Sequence, residues 1–168
     1  MITAAYVQTM AQYNTWQNNA LMRIVEGMDQ ADLDQDRGAF FGSIQGTLSH
    51  LLWGDTLWMS RFDAHSAAPD CDGAQSASRW ATKVDWATDR FLTDGRIRQW
   101  ADGLRQIDLS DTMTWTYSFE NKQVTKPLSF CITHFFNHQT HHRGQVHAML
   151  TAAGQDAPVS DLSYLPED

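Results

Sequence analysis

The sequence predicts an all-α protein: a four-helix bundle with a short β-hairpin inserted before the last long helix. Three observations favour this fold. Long stretches place apolar residues at steps of three and four, one short stretch alternates large apolar with small hydroxyl residues, and no repeat or linker divides the chain. Because long amphipathic helices bury their apolar stripes most economically against one another, they are expected to form one bundle in a single domain spanning residues 1–168.

The first helix is predicted over residues 3–28, where no Gly or Pro precedes Gly27. Residues 29–42 are polar and rich in Asp and Gly, which is typical of a connection. Ser43 can cap the second helix, which is predicted from Ile44 to about Phe62. This helix carries apolar residues on more than one face, as expected of a buried helix.

The middle of the chain is predicted to contain a loop, a third helix and a hairpin. Residues 63–78 are small, polar and turn-like, so they are predicted as a loop that need not be well ordered. The third helix is predicted over about residues 82–107. The alternation at residues 113–119 then predicts a β-strand, because a strand points successive side chains to opposite faces. Residues 120–122 can form the turn, and residues 123–126 can return as a short second strand.

The fourth helix is predicted to begin at Pro127 and to extend to about Ala153, before Gly154 ends it. The tail that follows contains Pro158 and Pro166 and is predicted to be irregular. Five of the seven histidines crowd onto this helix: His134, His138, His141, His142 and His147. This helix is therefore expected to carry functional residues.

The composition fits one globular domain and excludes several classes of partner. The chain has 168 residues, 42% of them apolar, and 12 Lys and Arg against 20 Asp and Glu give a formal net charge of −8. That charge repels phosphate backbones and anionic lipid headgroups, so neither nucleic acid nor a membrane is an expected partner. No stretch approaches the roughly 20 apolar residues of a spanning helix and no signal-like segment begins the chain, so a cytoplasmic protein is predicted. Cys71 and Cys131 lack metal-type spacing and are expected to be free thiols.

Helical rotation separates the five histidines of the fourth helix. At about 100° per residue, the apolar residues of this helix define one arc. His142 falls inside that arc, His138 lies at its edge one turn away, and the other three lie farther out. Two imidazoles four residues apart on one face can bind a single cation, which makes this pair the candidate metal ligands. Histidines that satisfy their hydrogen bonds within the core, or that form a partly solvated edge of the helix, remain the alternative, because spacing alone fits them too.

The candidate for a further ligand outside this helix is His50, in the middle of the second helix. It shares a lesser apolar stripe with Trp53, so the helical angle permits a core-facing His50 without proving it. Asp55 falls in the main apolar stripe of the same helix, where a carboxylate needs a partner, and Arg143 follows a proposed ligand directly. A buried ion pair between helices is the favoured interpretation of Asp55 and Arg143, and anchoring of an anionic substrate is the alternative.

Five segments of the chain resemble the DinB/YfiT-like family of bacterial helical-bundle proteins. They are YNTWQN at residues 13–18, RGAFFGSI at 37–44, LSHLLWGD at 48–55, NHQTHHRGQ at 137–145 and PVSDL at 158–162. The resemblance implies that His50, His138 and His142 form a three-histidine metal site in a four-helix bundle. It also implies a homodimer, a bound metal that is typically zinc or nickel, and no DNA activity. Some relatives are thiol-dependent transferases or isomerases, so the resemblance implies a small-molecule substrate such as a low-molecular-weight thiol.

A site of this kind is typical of catalysis, because three neutral imidazoles leave one coordination position of the metal open. A metal lowers the pKa of the water or thiol that it binds and so provides a nucleophile at neutral pH. The predicted function is therefore a metal-dependent enzyme, with thiol S-transfer or isomerisation favoured by resemblance and hydrolysis as the competing reaction. A stress-associated binding module that the metal merely stabilises is the alternative from another class. No general base is identified, since His134, His141 and Gln145 are expected only to support the ligands.

Overall fold

The computed structural model describes residues 2–117 and 122–167 and confirms the predicted fold class. Four long helices form the bundle, and a hairpin precedes the last of them. The elements are α1 (Ala4–Gly27), a short α2 (Gln30–Asp34), α3 (Ile44–Phe62), α4 (Lys83–Gly103), β1 (Thr112–Tyr117), β2 (Lys122–Pro127) and α5 (Leu128–Ala152).

The order of the long helices around the bundle is α1, α4, α3, α5. Helix α1 packs mainly on α4, and α3 packs on both α5 and α4. The apolar core has two halves, one around Leu21 and Leu48 and the other around Val7 and Met59. Along the chain, α1 and α5 run from the second half to the first, whereas α3 and α4 run the opposite way. Helices α3 and α5 are therefore antiparallel neighbours.

A layer of buried polar side chains separates the two apolar halves. On each long helix these residues fall in sequence between the residues of one half and those of the other. The layer contains Asn14 and Asn18 of α1, Asp55 of α3, Arg90 and Asp94 of α4, and Gln139 and Arg143 of α5. Because buried polar groups destabilise a core unless they are paired, this layer requires specific contacts between all four helices.

The helix boundaries agree with the predictions except at the end of the third helix. Side chains of Thr3, Ser43 and Thr82 accept the backbone N–H three residues ahead, which caps the starts of α1, α3 and α4. Helix α4 ends at Gly103, whereas the prediction continued to about residue 107. The segment after it turns instead, because Asp108 accepts hydrogen bonds from both the backbone and the side chain of Arg105.

The hairpin is antiparallel and pairs Thr114 with Thr125 and Trp115 with Val124. The hydroxyls of Thr114 and Thr125 are 2.7 Å apart and form a cross-strand hydrogen bond. Strand β1 begins one residue before its predicted start, β2 extends one residue beyond each of its predicted limits, and Lys122, predicted in the turn, begins β2. The rest of the predicted turn and the end of the predicted first strand, residues 118–121, lie outside the described residues.

Four short helical segments of the described residues were not predicted. Leu33 anchors α2 within the connection before α3, because its side chain is fully buried. A 3-10 helix, Gly73–Ser78, lies against α3, and Asp72 caps its start because the Asp72 side chain accepts the Ala74 N–H. The end of the predicted loop is therefore helical. The other two segments are 3-10 turns, Asp108–Ser110 after α4 and Leu162–Tyr164 in the tail.

In residues 2–117 and 122–167, no helix combines the length and the apolar character of a membrane-spanning helix. Cys71 and Cys131 are both free, as predicted.

Candidate metal centre

The three predicted histidines come together at the seam between α3 and α5. His50 lies on α3, and His138 and His142 lie on successive turns of α5. One nitrogen from each ring lies within 4.8 Å of the others. The Nε2 atoms of His50 and His138 are 3.2 Å apart, close to the roughly 3.4 Å between two nitrogens bound to a tetrahedral zinc at about 2.0–2.1 Å.

The histidines lie on the solvent side of the bundle axis rather than at its centre. His142 is 7% exposed and counts as buried, whereas His50 and His138 are half-buried. The predicted difference between His142, inside the apolar arc, and His138, at its edge, is therefore visible in their burial. The centre of the bundle is occupied by the polar layer, so an ion held by these rings would lie where small molecules can reach it.

The hydrogen bonds of Ser76 determine which nitrogen of His50 carries the proton. The Ser76 hydroxyl donates to the Gly73 carbonyl at 2.7 Å, so it can only accept from His50 Nδ1, which is 2.9 Å away. His50 is therefore protonated at Nδ1, and its Nε2 has a free lone pair. Ser76 comes from the 3-10 helix that the sequence did not predict, and for that reason it was missed as a site residue.

Gln145 orients His142 in the same way. Its side-chain carbonyl oxygen lies 2.7 Å from His142 Nδ1, and because a carbonyl only accepts, His142 donates from that nitrogen. The Nε2 lone pair of His142 is then free as well. The expectation that Gln145 supports the histidine pair agrees with this contact. Such partners of the outer ring nitrogen typically fix the orientation and the proton position of metal-binding histidines.

All three imidazoles are held in the neutral form that binds metals. Burial, assisted by the neighbouring imidazoles, lowers the pKa of His50 to about 4 and that of His138 to about 3. Burial also lowers the pKa of His142, against an opposing effect of its hydrogen bond to Gln145. At neutral pH the three rings therefore present lone pairs and do not repel a cation.

Gly54 makes room for His138 on the α3 side of the seam. A Cβ atom at Gly54 would lie 2.8 Å from His138 Cε1, too close for two carbon atoms. In addition, His138 Nδ1 is buried and has no hydrogen-bond partner among residues 2–117 and 122–167. Three neutral imidazoles, each with a nitrogen within 4.8 Å of the others, are a donor set that could hold a metal ion.

Replacing Gly54 with alanine is expected to destabilise the protein by about 1–3 kcal/mol, because the added methyl group must displace the His138 ring or separate the helices. Gly95 provides the control, since it lies in α4 and a Cβ there meets no atom within 4 Å. Gly95→Ala is expected to be neutral or to stabilise by up to about 1 kcal/mol through helix propensity. Urea unfolding of both variants measures the difference. Equal stabilities of the two variants would contradict the tight fit of His138 against Gly54.

Phe41 covers the ring of His50. The two ring centroids are 3.8 Å apart and the planes are nearly parallel, at 20°. The preceding connection turns sharply at Gly42, whose φ is +74°, and a Cβ at Gly46 would overlap the Phe41 carbonyl oxygen. These two glycines therefore allow the backbone path that brings Phe41 onto the site.

The remaining histidines of α5 do not join the three-histidine group. His134 and His141 are exposed. The His134 ring contacts that of His138, with centroids 5.9 Å apart, and the His141 ring contacts that of His142, with centroids 4.8 Å apart. His147 is not a member of the group.

The predicted ion pair between Asp55 and Arg143 is wrong. Asp55 binds Arg90 of α4 at 2.6 Å and accepts a hydrogen bond from Gln139 at 3.0 Å. Arg143 instead donates to Asn14 of α1, and its guanidinium lies over the Tyr13 ring. The prediction failed because it considered no partner on α4.

The missed partners on α4 do have a sequence signal. Arg90 and Asp94 are opposite charges four residues apart, and they fall on the same face as the buried Trp86 and Ile97. Charged residues on an apolar stripe indicate a buried ion pair rather than a solvated face.

Comparison with known proteins identifies DinB proteins by family profile, by sequence and by fold. A profile of the DinB family matches residues 1–167. The Protein DinB of Bacillus subtilis (strain 168) is 23% identical over 152 residues, which cover 89% of this chain and 87% of that protein. The crystal structure of a DinB-like protein from Bacillus cereus ATCC 10987 matches with a TM-score of 0.63 at 14% identity, over 86% of this chain and 91% of that one, and shows the shared fold. The chain described here therefore belongs to the DinB family.

Proposed function

We propose that this protein is a metal-dependent enzyme in which His50, His138 and His142 hold a divalent ion, zinc or nickel, and leave one coordination position open. The observation that supports this best is the fixed orientation of two rings. Ser76 and Gln145 hold the protons of His50 and His142 on Nδ1, so both rings offer Nε2 at the seam.

The number of ligands and their exposure favour a catalytic over a structural site. A structural zinc site is closed by four protein ligands. In the part of the chain that the structure describes, the group consists of three histidines with no fourth His, Cys, Asp or Glu. Since His50 and His138 are only half-buried, a small molecule can approach the fourth position.

The chain's own residues would position and shield the reacting groups. When bound, the ion would supply positive charge that lowers the pKa of a coordinated thiol or water. Phe41 shields one face of His50 from water, and His134 and His141 border the seam. The family resemblance supports a low-molecular-weight thiol as the small-molecule substrate and S-transfer or isomerisation as the reaction, in a homodimer. Hydrolysis would use the same site with water in place of the thiol.

Cobalt substitution tests the proposal. The purified chain, without a polyhistidine tag, is loaded with Co²⁺, and its visible spectrum is followed during titration with 2-mercaptoethanol. One ion per chain and a change of spectrum on adding thiol are expected. If metal removal unfolds the bundle, while neither thiols nor hydrolysable esters perturb the cobalt spectrum, the ion only stabilises a binding module and the enzyme proposal is wrong.

Ser76→Ala is expected to weaken metal binding by about 10- to 100-fold, because His50 loses the acceptor that orients its ring. Competition with a chromophoric chelator measures the affinity. Ser78→Ala is the matched control, since Ser78 lies in the same 3-10 helix and its hydroxyl donates only to the Gln75 carbonyl. Equal affinities of the two variants would show that Ser76 does not position the ligand.

A further inference from the structure

The seam that holds the histidines continues along α3 and α5 as a row of facing side chains. Because the helices are antiparallel, each four-residue step along α3 meets a four-residue step back along α5. The facing pairs are His50 with His142, Gly54 with His138, and Trp58 with His134. The row therefore runs from the three histidines to the ring of Trp58, whose centroid is 5.1 Å from that of His134.

Arg61 lies at the far end of this row. Its guanidinium carbon is 4.7 Å from the ring centre of Trp58 and 5.3 Å from that of Trp115, which the hairpin contributes. The aromatic rings contact the guanidinium through their faces, and cation–π contacts of this kind leave N–H donors available to a ligand. Arg61 is half-buried, and none of its nitrogens is enclosed.

Arg61 forms no ion pair with the acidic residues that the structure describes. Among residues 2–117 and 122–167, no carboxylate lies within ion-pair distance of its guanidinium, whereas Arg79, Arg90 and Arg105 all have one. The chain has 20 acidic and only 12 basic side chains, so a basic side chain would ordinarily find an acidic partner. Lys126 of β2 adds a second positive charge, since its field and that of Arg61 both act on the Cys131 thiol.

We propose that the substrate of the metal centre lies along this row of side chains and that Arg61 binds an anionic group of the substrate, a carboxylate or a phosphate. The inference rests on the proposed function, because it places the reacting end of the substrate at the three histidines. Arg61 follows His50 by eleven residues, so the two ends of the row are about 16 Å apart along α3. The substrate class is thus a small elongated molecule whose anionic group is remote from its reacting atom.

Two pairs of simple thiols test the proposal on the cobalt-loaded protein. The long pair is 11-mercaptoundecanoate and 11-mercaptoundecanol, whose chains extend roughly 15 Å. The short pair, 3-mercaptopropanoate and 3-mercaptopropanol, cannot reach from the histidines to Arg61. The long acid is expected to bind at least about tenfold more tightly than the long alcohol, because its carboxylate can accept a charge-assisted hydrogen bond from Arg61. No such preference is expected in the short pair.

Substitution of Arg61 completes the experiment. In Arg61→Gln the preference for the long acid is expected to disappear, and in Arg61→Lys to be partly retained. Arg23→Gln removes the same charge from the exposed surface of α1 and is expected to retain the full preference. Equal binding of the long acid and alcohol by the unmodified chain overturns the Arg61 proposal alone, as does a preference that persists in Arg61→Gln. If no thiol changes the cobalt spectrum, the thiol-dependent form of the proposed function fails and this inference fails with it.

Discussion

Alanine in place of His50, His138 or His142 is expected to lower the bound metal from one ion per chain to almost none. Two imidazoles alone leave a divalent ion with too few protein ligands, and the affinity of such a site depends on every one of them. Elemental analysis of untagged protein, purified without chelators and then dialysed, gives the stoichiometry. The same variants are expected to retain their helical circular dichroism, because His50 and His138 lie at the seam and not in either apolar half of the core.

His147→Ala is the control for this experiment. His147 also lies on α5, and its substitution removes the same kind of ring, but this residue does not belong to the three-histidine group. Its variant is expected to bind metal as the unmodified chain does. Full metal content in His50→Ala would exclude that residue as a ligand, and loss of metal in His147→Ala would indicate a different site on α5.

The positions of His138 and His142 could be predicted because they depend on one helix only. Rotation by about 100° per residue relates every side chain of a helix to its apolar face, whatever that face packs against. His50 was different. Both stripes of α3 are apolar, and which of them faces α5 depends on how the two helices pack, which the pattern within one helix does not contain.

The residues that complete the site depend on contacts between separate elements. Ser76 reaches His50 from a polar segment 26 residues later, and Phe41 reaches the same ring from the connection before α3. Neither segment has an apolar period that would predict its position. The sequence shows that Gly54 lies within a helix, but not that this position must lack a side chain because the His138 ring packs against it. The partner of Asp55 was mistaken for the same reason, since the order of the helices around the bundle decides it.

Arg90→Ala is expected to destabilise the protein by about 3–5 kcal/mol, because two buried carboxylates lose the one cation that, among residues 2–117 and 122–167, lies at hydrogen-bond distance. Arg90 binds Asp55 and Asp94 at 2.6 Å each, and the three side chains are at most 4% exposed. Urea unfolding measures the loss. Arg105→Ala is the matched control: Arg105 binds Asp108 at the same 2.6 Å, but its side chain is 76% exposed, so water replaces the lost contact and little change is expected.

The pH dependence of this loss distinguishes unpaired charge from lost packing. Burial already raises the pKa of Asp94 to about 6 and raises that of Asp55, and removing Arg90 is expected to raise both further. A carboxylate whose pKa is higher in the folded than in the unfolded state takes up a proton on folding, so stability increases as the pH falls toward the unfolded value near 3.8. The difference in unfolding free energy between Arg90→Ala and the unmodified chain should therefore be smaller at pH 5 than at pH 8. An equal difference at both pH values would mean that Arg90 stabilises the bundle by filling space, and that the polar layer joins the four helices by packing rather than by charge.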